Sequence, residues 1–232
     1  MHIEPEIIQG AKIALSYSTA IVSFGLIAKS IFTDVKGSGF LSLGVKSLLT
    51  SLMVLGFFEV LPHHSVGISE VHFILGSSLF LLFGAAPAAV GLSAGLLIQG
   101  LFFAPQDLPM YWLNVTTLIM PLFAMSLLAK KLIPENTAYK DISYAQALGL
   151  SVSYQGGIIT WVAFWAFYGQ GFSSENVASV FSFCVAYSSV IMIEPVIDLA
   201  LLACAKRLNG NTKRNWLNPR LYKVFDARAS AL

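Results

Sequence analysis

Histidine is scarce in this 232-residue chain: His2, His63, His64 and His72 are its only four, and none lies beyond position 72. Imidazole is the commonest metal-binding side chain and binds as the neutral ring. His2 has a further chelating opportunity because it follows Met1. The Met1 amine, the His2 backbone amide and the His2 imidazole can close adjacent five- and six-membered rings around one ion. Three nitrogens then lie near one plane, and a fourth from a distant histidine completes a square. That geometry suits Ni(II) or Cu(II), and Co(II) also uses imidazole-rich sites. The metal must displace the amide proton, so binding weakens in acid. Met-His alone is common at a chain start, and a single histidine is more often an interfacial hydrogen-bonded residue than a ligand.

These groups need a scaffold, and composition says which kind. Only 11% of residues are charged and 56% are hydrophobic, whereas soluble domains carry about 25% charged residues. So few charges cannot cover so large a core in water, and the same figures exclude disorder, collagen, coiled coil and nucleic-acid binding. The expected fold class is an all-α polytopic membrane protein. A spanning helix needs about 20 apolar residues. Seven stretches qualify, near 10–33, 40–61, 70–85, 86–104, 111–130, 145–169 and 176–206, so that residues 1–206 form one membrane domain and 207–232 a basic tail. The third and fourth share one apolar run from Val71 to Phe103, and Pro87, near its middle, is expected to mark the turn. Gly91/Gly95 and Ser16/Ala20 are small pairs four apart that allow close helix contact. Cys184 and Cys204 read as small buried hydrophobes rather than as a disulfide or zinc site.

Lysine and arginine set the expected orientation. With the N-terminus outside, 13 of 14 basic residues fall on the cytoplasmic side: Lys29, Lys36 and Lys46 beside the first loop, Lys130, Lys131 and Lys140 beside the third, and seven from Lys206 to Arg228 at the C-terminal end. Lys12 is the exception. All four histidines then map to the outer side. The acidic Met1–Glu6 opening is not a signal-peptide n-region, so the mature chain is expected to begin at Met1 with its amine outside.

The chain resembles the membrane subunits of cobalt/nickel energy-coupling-factor transporters, the CbiM/NikM family. Met1-His2-Ile3-Glu4 is similar to the family's Met-His-Ile start, and Gly67-Ile68-Ser69-Glu70-Val71-His72, continued by Phe73-Ile74-Leu75-Gly76, to its Thr/Ser-x-His block and following Gly-rich helix. Leu97-Ile98-Gln99 and Asn114-Val115-Thr116-Thr117 resemble its Leu-x-Gln and Asn segments. The likeness covers about residues 1–200 and fades in the tail. It implies a seven-helix substrate-binding component whose N-terminus tucks into the bundle, with the Met1 amine, the His2 amide and imidazole and the His72 imidazole holding a transported Co(II) or Ni(II). It also implies partners: a transmembrane coupling subunit, cytoplasmic ATPase subunits and a small accessory membrane subunit, in the cytoplasmic membrane of a prokaryote. Two departures bear on the metal's identity. Glu4-Pro5-Glu6 replaces an early acid-Gly pair, and Glu70-Val71 replaces a small pair before His72.

Asn114, Gln99 and Thr116 are candidates for orienting the N-terminal loop or the His72 ring. Glu70, His63 and His64, with Glu59 and Asp107, form either a cation-gathering funnel or an ordinary polar rim. Glu194 and Asp198, four apart in the last span, read as solvated or paired with a base such as Lys206, with a cation path as the competing reading. Gly156 and Gly157 suit either helix packing or close approach of the N-terminal loop. No cofactor is expected. No nucleotide-binding G-x-x-x-x-G-K-[ST] and no His-Glu-x-x-His occurs, so ATP hydrolysis would belong to other subunits. The competing functions are the same fold adapted to another substrate or to sensing, and a membrane-embedded enzyme.

Overall fold

The computed structural model describes residue 3, residues 7–134 and residues 137–208. Met1, His2 and the tail beyond Leu208 lie outside the described residues. Among the described residues, seven α-helices and one small hairpin make up the fold, joined by short 3-10 turns: α1 (Ile13–Ser38), α2 (Phe40–Val60), β1 (His64–Val66), β2 (Ser69–Val71), α3 (Gly76–Phe83), α4 (Ala85–Phe102), α5 (Tyr111–Leu132), α6 (Tyr144–Gln170) and α7 (Ser174–Leu208). Among the described residues, six helical segments are long and apolar enough to cross a membrane. The chain is an all-α polytopic membrane protein.

Polarity is arranged as a bilayer requires. In α1 the buried residues are Ser16, Ala20, Ser23 and Ile27, a stripe of mostly small side chains, while Ile21, Val22 and Phe32 face outward. The pair Gly91/Gly95 works inside the chain: a Cβ at Gly91 would meet Thr50 and one at Gly95 would meet Val54. These glycines let α4 pack on α2, and Thr50 Oγ1 also donates to the Pro87 carbonyl at 2.7 Å. Gly157 packs on Pro121 of α5. A capping box starts α6, with Ser143 and Gln146 exchanging side-chain and backbone bonds. Cys184 is half-buried and Cys204 exposed, so the expectation that both are buried does not hold.

The third expected span, 70–85, is corrected. Its first residues form β2 of an antiparallel hairpin, residues 72–75 are non-helical, and α3 has 8 residues. Eight residues rise about 12 Å, well short of the roughly 30 Å hydrocarbon core. The helix is instead enclosed, with Gly76 to Leu81 all buried. The break between α3 and α4 falls at Gly84 (φ 97°) rather than at Pro87. Pro87 is the third residue of α4, where a missing N–H breaks no helical bond.

The hairpin turn is Gly67-Ile68. Its register pairs His64 with Val71, Ser65 with Glu70 and Val66 with Ser69. Gly67 has φ 61°, the first central position of a two-residue hairpin that needs glycine. A Cβ there would also meet the Ser179 carbonyl of α7.

Candidate metal centre

Strand alternation decides which groups share a face. Glu70 and His72 are two apart and point the same way, and continuing the register by one step sets His63 opposite His72. Both consequences appear. His72 is 1% exposed, its Nε2 lies 2.7 Å from Glu70 Oε2, and its ring stacks on His63 with centroids 5.0 Å apart and planes 12° apart. Phe58 of α2 closes another side, 5.3 Å between centroids. A carboxylate only accepts, so Nε2–H donates to Glu70, and in the neutral ring Nδ1 then carries the lone pair. Ser65 Oγ donates to the other Glu70 oxygen at 3.3 Å, which holds the carboxylate against the histidine.

The N-terminal segment is docked at the same place. Ile3 forms an antiparallel bridge with Ser69, and its N–H donates to Asn114 Oδ1 at 2.9 Å. Ile3 is 1% exposed. Downstream, the Ile7 carbonyl lies where a Cβ on Gly169 of α6 would be, and Lys12 Nζ donates to the Gly169 carbonyl at 2.8 Å. Ser69 of β2, Asn114 of α5 and Gly169 of α6 thus fix the chain on both sides of residues 4–6.

The expected site residues divide accordingly. His72, Glu70 and His63 come together at the hairpin, and Asn114 bonds Ile3, which bridges to the hairpin at Ser69. His64 is exposed in β1 and paired with Val71. Thr116 serves helix packing: its hydroxyl donates to the Leu113 carbonyl at 2.7 Å and accepts from Trp161 Nε1 at 3.0 Å. Gln99 is buried in α4, and its Oε1 has no hydrogen-bond partner among the described residues. Met1 and His2 lie outside the described residues. Among the described residues no three His, Cys, Asp or Glu side chains converge as a metal site.

Glu194 and Asp198 correct their expected surroundings. Both are buried, at 0% and 1% exposure, and Lys206 instead donates to the Lys140 carbonyl at 2.8 Å. Glu194 Oε1 accepts from the N–H groups of Ile74 and, at 3.0 Å, Leu75. Asp198 accepts from the hydroxyls of Ser77 at 2.6 Å and Ser78. Their spacing put them on one helix face, but nothing in it named the partners. Gly169 was also missed; among the described residues it is this glycine, not Gly156 or Gly157, that meets the N-terminal segment.

No curated protein and no solved structure matches this chain. A family model does: CbiM, the cobalt uptake substrate-specific transmembrane region, over residues 2–211. That match takes in the hairpin, His72 and every helix described above. The chain belongs to the CbiM family and is a membrane component of cobalt uptake.

Proposed function

We propose that the protein is the substrate-binding component of an energy-coupling-factor transporter, and that it captures one Co(II) through the Met1 amine, the His2 amide and imidazole, and His72 Nδ1. The observation that carries this reading is the docking of Ile3 on Ser69 and Asn114, three residues from His72 in sequence on the Ser69 side. Residue 2 precedes Ile3, about 3.8 Å away from Cα to Cα. The Glu70 bond supports Nδ1 as the ligand atom, because a second-nitrogen hydrogen bond to carboxylate orients metal-binding histidines and raises their basicity. The set of four nitrogens also suits square-planar Ni(II), which is the competing cargo.

In this reading the extended residues 72–75 and α3 together carry the chain across once, rising about 13 Å and 12 Å alongside α7 from Ser179 to Asp198; the N-terminus, the hairpin and the exposed His63 and His64 then face outside, and 13 of 14 basic residues fall on the other side. His63 and Glu70 make the mouth of the site attractive to cations. The membrane is the cytoplasmic membrane of a prokaryote. A transmembrane coupling subunit and ATPase subunits supply the energy. The protein itself is not an enzyme; it binds and releases.

The test is metal retention by the full-length protein purified with its native N-terminus and a C-terminal tag. About one equivalent of Co(II) or Ni(II) is expected for the unaltered protein. His72→Ala and His2→Ala should each lose tight binding, and binding should fall as the pH is lowered because the amide and imidazole nitrogens must be unprotonated. Undiminished retention in the double variant would sink the proposed ligand set.

A further inference from the structure

Glu194 and Asp198 are buried in α7 and take no part in the ligand set above. What they hold is residues 72–75, non-helical backbone enclosed in the bundle, with His72, Ile74 and Leu75 buried. Backbone of this kind inside a membrane protein must find partners in the protein, because neither helix nor water supplies them. Leu75 is moreover left-handed, at φ 52°, a conformation that L side chains rarely adopt. Glu194 meets the need directly: Oε1 accepts from both Ile74 and Leu75 N–H. Its Oε2 accepts from Gln155 Nε2 of α6, and Gln155 Oε1 accepts from Tyr187 at 2.6 Å, which fixes the carboxyl plane. One turn on, Asp198 takes the Ser77 and Ser78 hydroxyls. Gly76 lies so close to the Tyr154 ring that a Cβ would not fit, so the segment is pressed on α6 as well.

We infer that Glu194, backed by Asp198, is a positioning residue for the metal-ligating histidine: the two carboxyls clasp residues 74–78 to α7 and so set where His72 stands. This rests on the reading of His72 as a ligand. A carboxyl with this task supplies geometry, and its charge is dispensable. A glutamine carbonyl at the same place still accepts both backbone N–H groups, and the Gln155 amide can turn to face the new amide.

The experiment titrates Co(II) and Ni(II) into the full-length protein in detergent and follows affinity, dissociation rate and the ligand-field absorption of the bound ion. Glu194→Ala is expected to bind about tenfold more weakly or worse, with faster release and a changed spectrum, since two buried N–H groups lose their acceptor. Glu194→Gln should stay within about threefold of the unaltered protein on the same scale and keep its spectrum. Should Glu194→Ala fail to fold, Glu194→Asp draws the oxygens back by one methylene and should weaken binding while preserving the charge. Unchanged affinity and spectrum in Glu194→Ala or Glu194→Asp, alongside loss of binding in His72→Ala, would overturn the clasp and leave the ligand set standing. Equal impairment of the Gln and Ala variants would also overturn it. Tight binding in His72→Ala would instead overturn the ligand set on which the inference rests.

Discussion

Asn114 shows how one side chain decides whether the N-terminal segment is held. Its Oδ1 accepts the Ile3 N–H in a setting where Ile3 is almost wholly buried, so nothing else replaces the bond when the amide is removed. An orphaned buried donor costs about 1–3 kcal/mol. Asn114→Ala should therefore weaken Co(II) binding roughly 5- to 150-fold at 1.4 kcal/mol per decade, measured by competition with a chelator of known affinity. Affinity equal to that of the unaltered protein would show that Ile3 needs no anchor on α5. Asn114 was legible in the sequence as a polar residue in an apolar span. Thr116, picked for the same reason, turned out to bond Trp161. Residue type marks where a polar group must find a partner, and only packing says which one.

The hairpin and α3 were the elements least legible beforehand. Residues 70–85 continue an apolar run, and hydropathy cannot separate an enclosed extended segment from a helix when both are buried. The available signal was Gly67-Ile68 flanked by alternating residues, a two-residue hairpin turn. The break at Gly84 rather than Pro87 has a similar cause: a proline in the first turn of a helix is tolerated, whereas a φ of 97° calls for glycine. The junction of α6 with the N-terminal segment gives a prediction on this scale. Gly169 faces the Ile7 carbonyl, while a Cβ on Gly156 of the same helix would meet nothing within 4 Å among the described residues. Gly169→Ala should displace the segment and lower metal affinity by about tenfold, 1.4 kcal/mol. Gly156→Ala should leave affinity unchanged and add up to about 1 kcal/mol of helix stability. Chelator competition and thermal unfolding of the two variants side by side check both; equal affinities would contradict the contact.

At the scale of the whole molecule, composition was the firmest guide. Eleven per cent charge and 56% hydrophobic residues demanded a membrane protein, and the boundaries of α2, α4, α5 and α6 fall within about two residues of the hydropathy expectation. The small-residue pairs were legible as contact surfaces, and α4 uses Gly91 and Gly95 to reach α2. The acids of α7 were legible only as an anomaly, because their partners are some 120 residues away in sequence and meet them through a non-helical turn. The same long-range closure brings Ile3 to Asn114 and to Ser69 of the hairpin. The central claim, a metal held by the chain start and His72, is tested most directly by X-ray absorption on the Co(II)- or Ni(II)-loaded protein with its native N-terminus. The account predicts four nitrogen donors, two of them imidazoles showing ring scattering. A coordination shell dominated by carboxylate oxygen or sulfur, or one with a single imidazole, would contradict it.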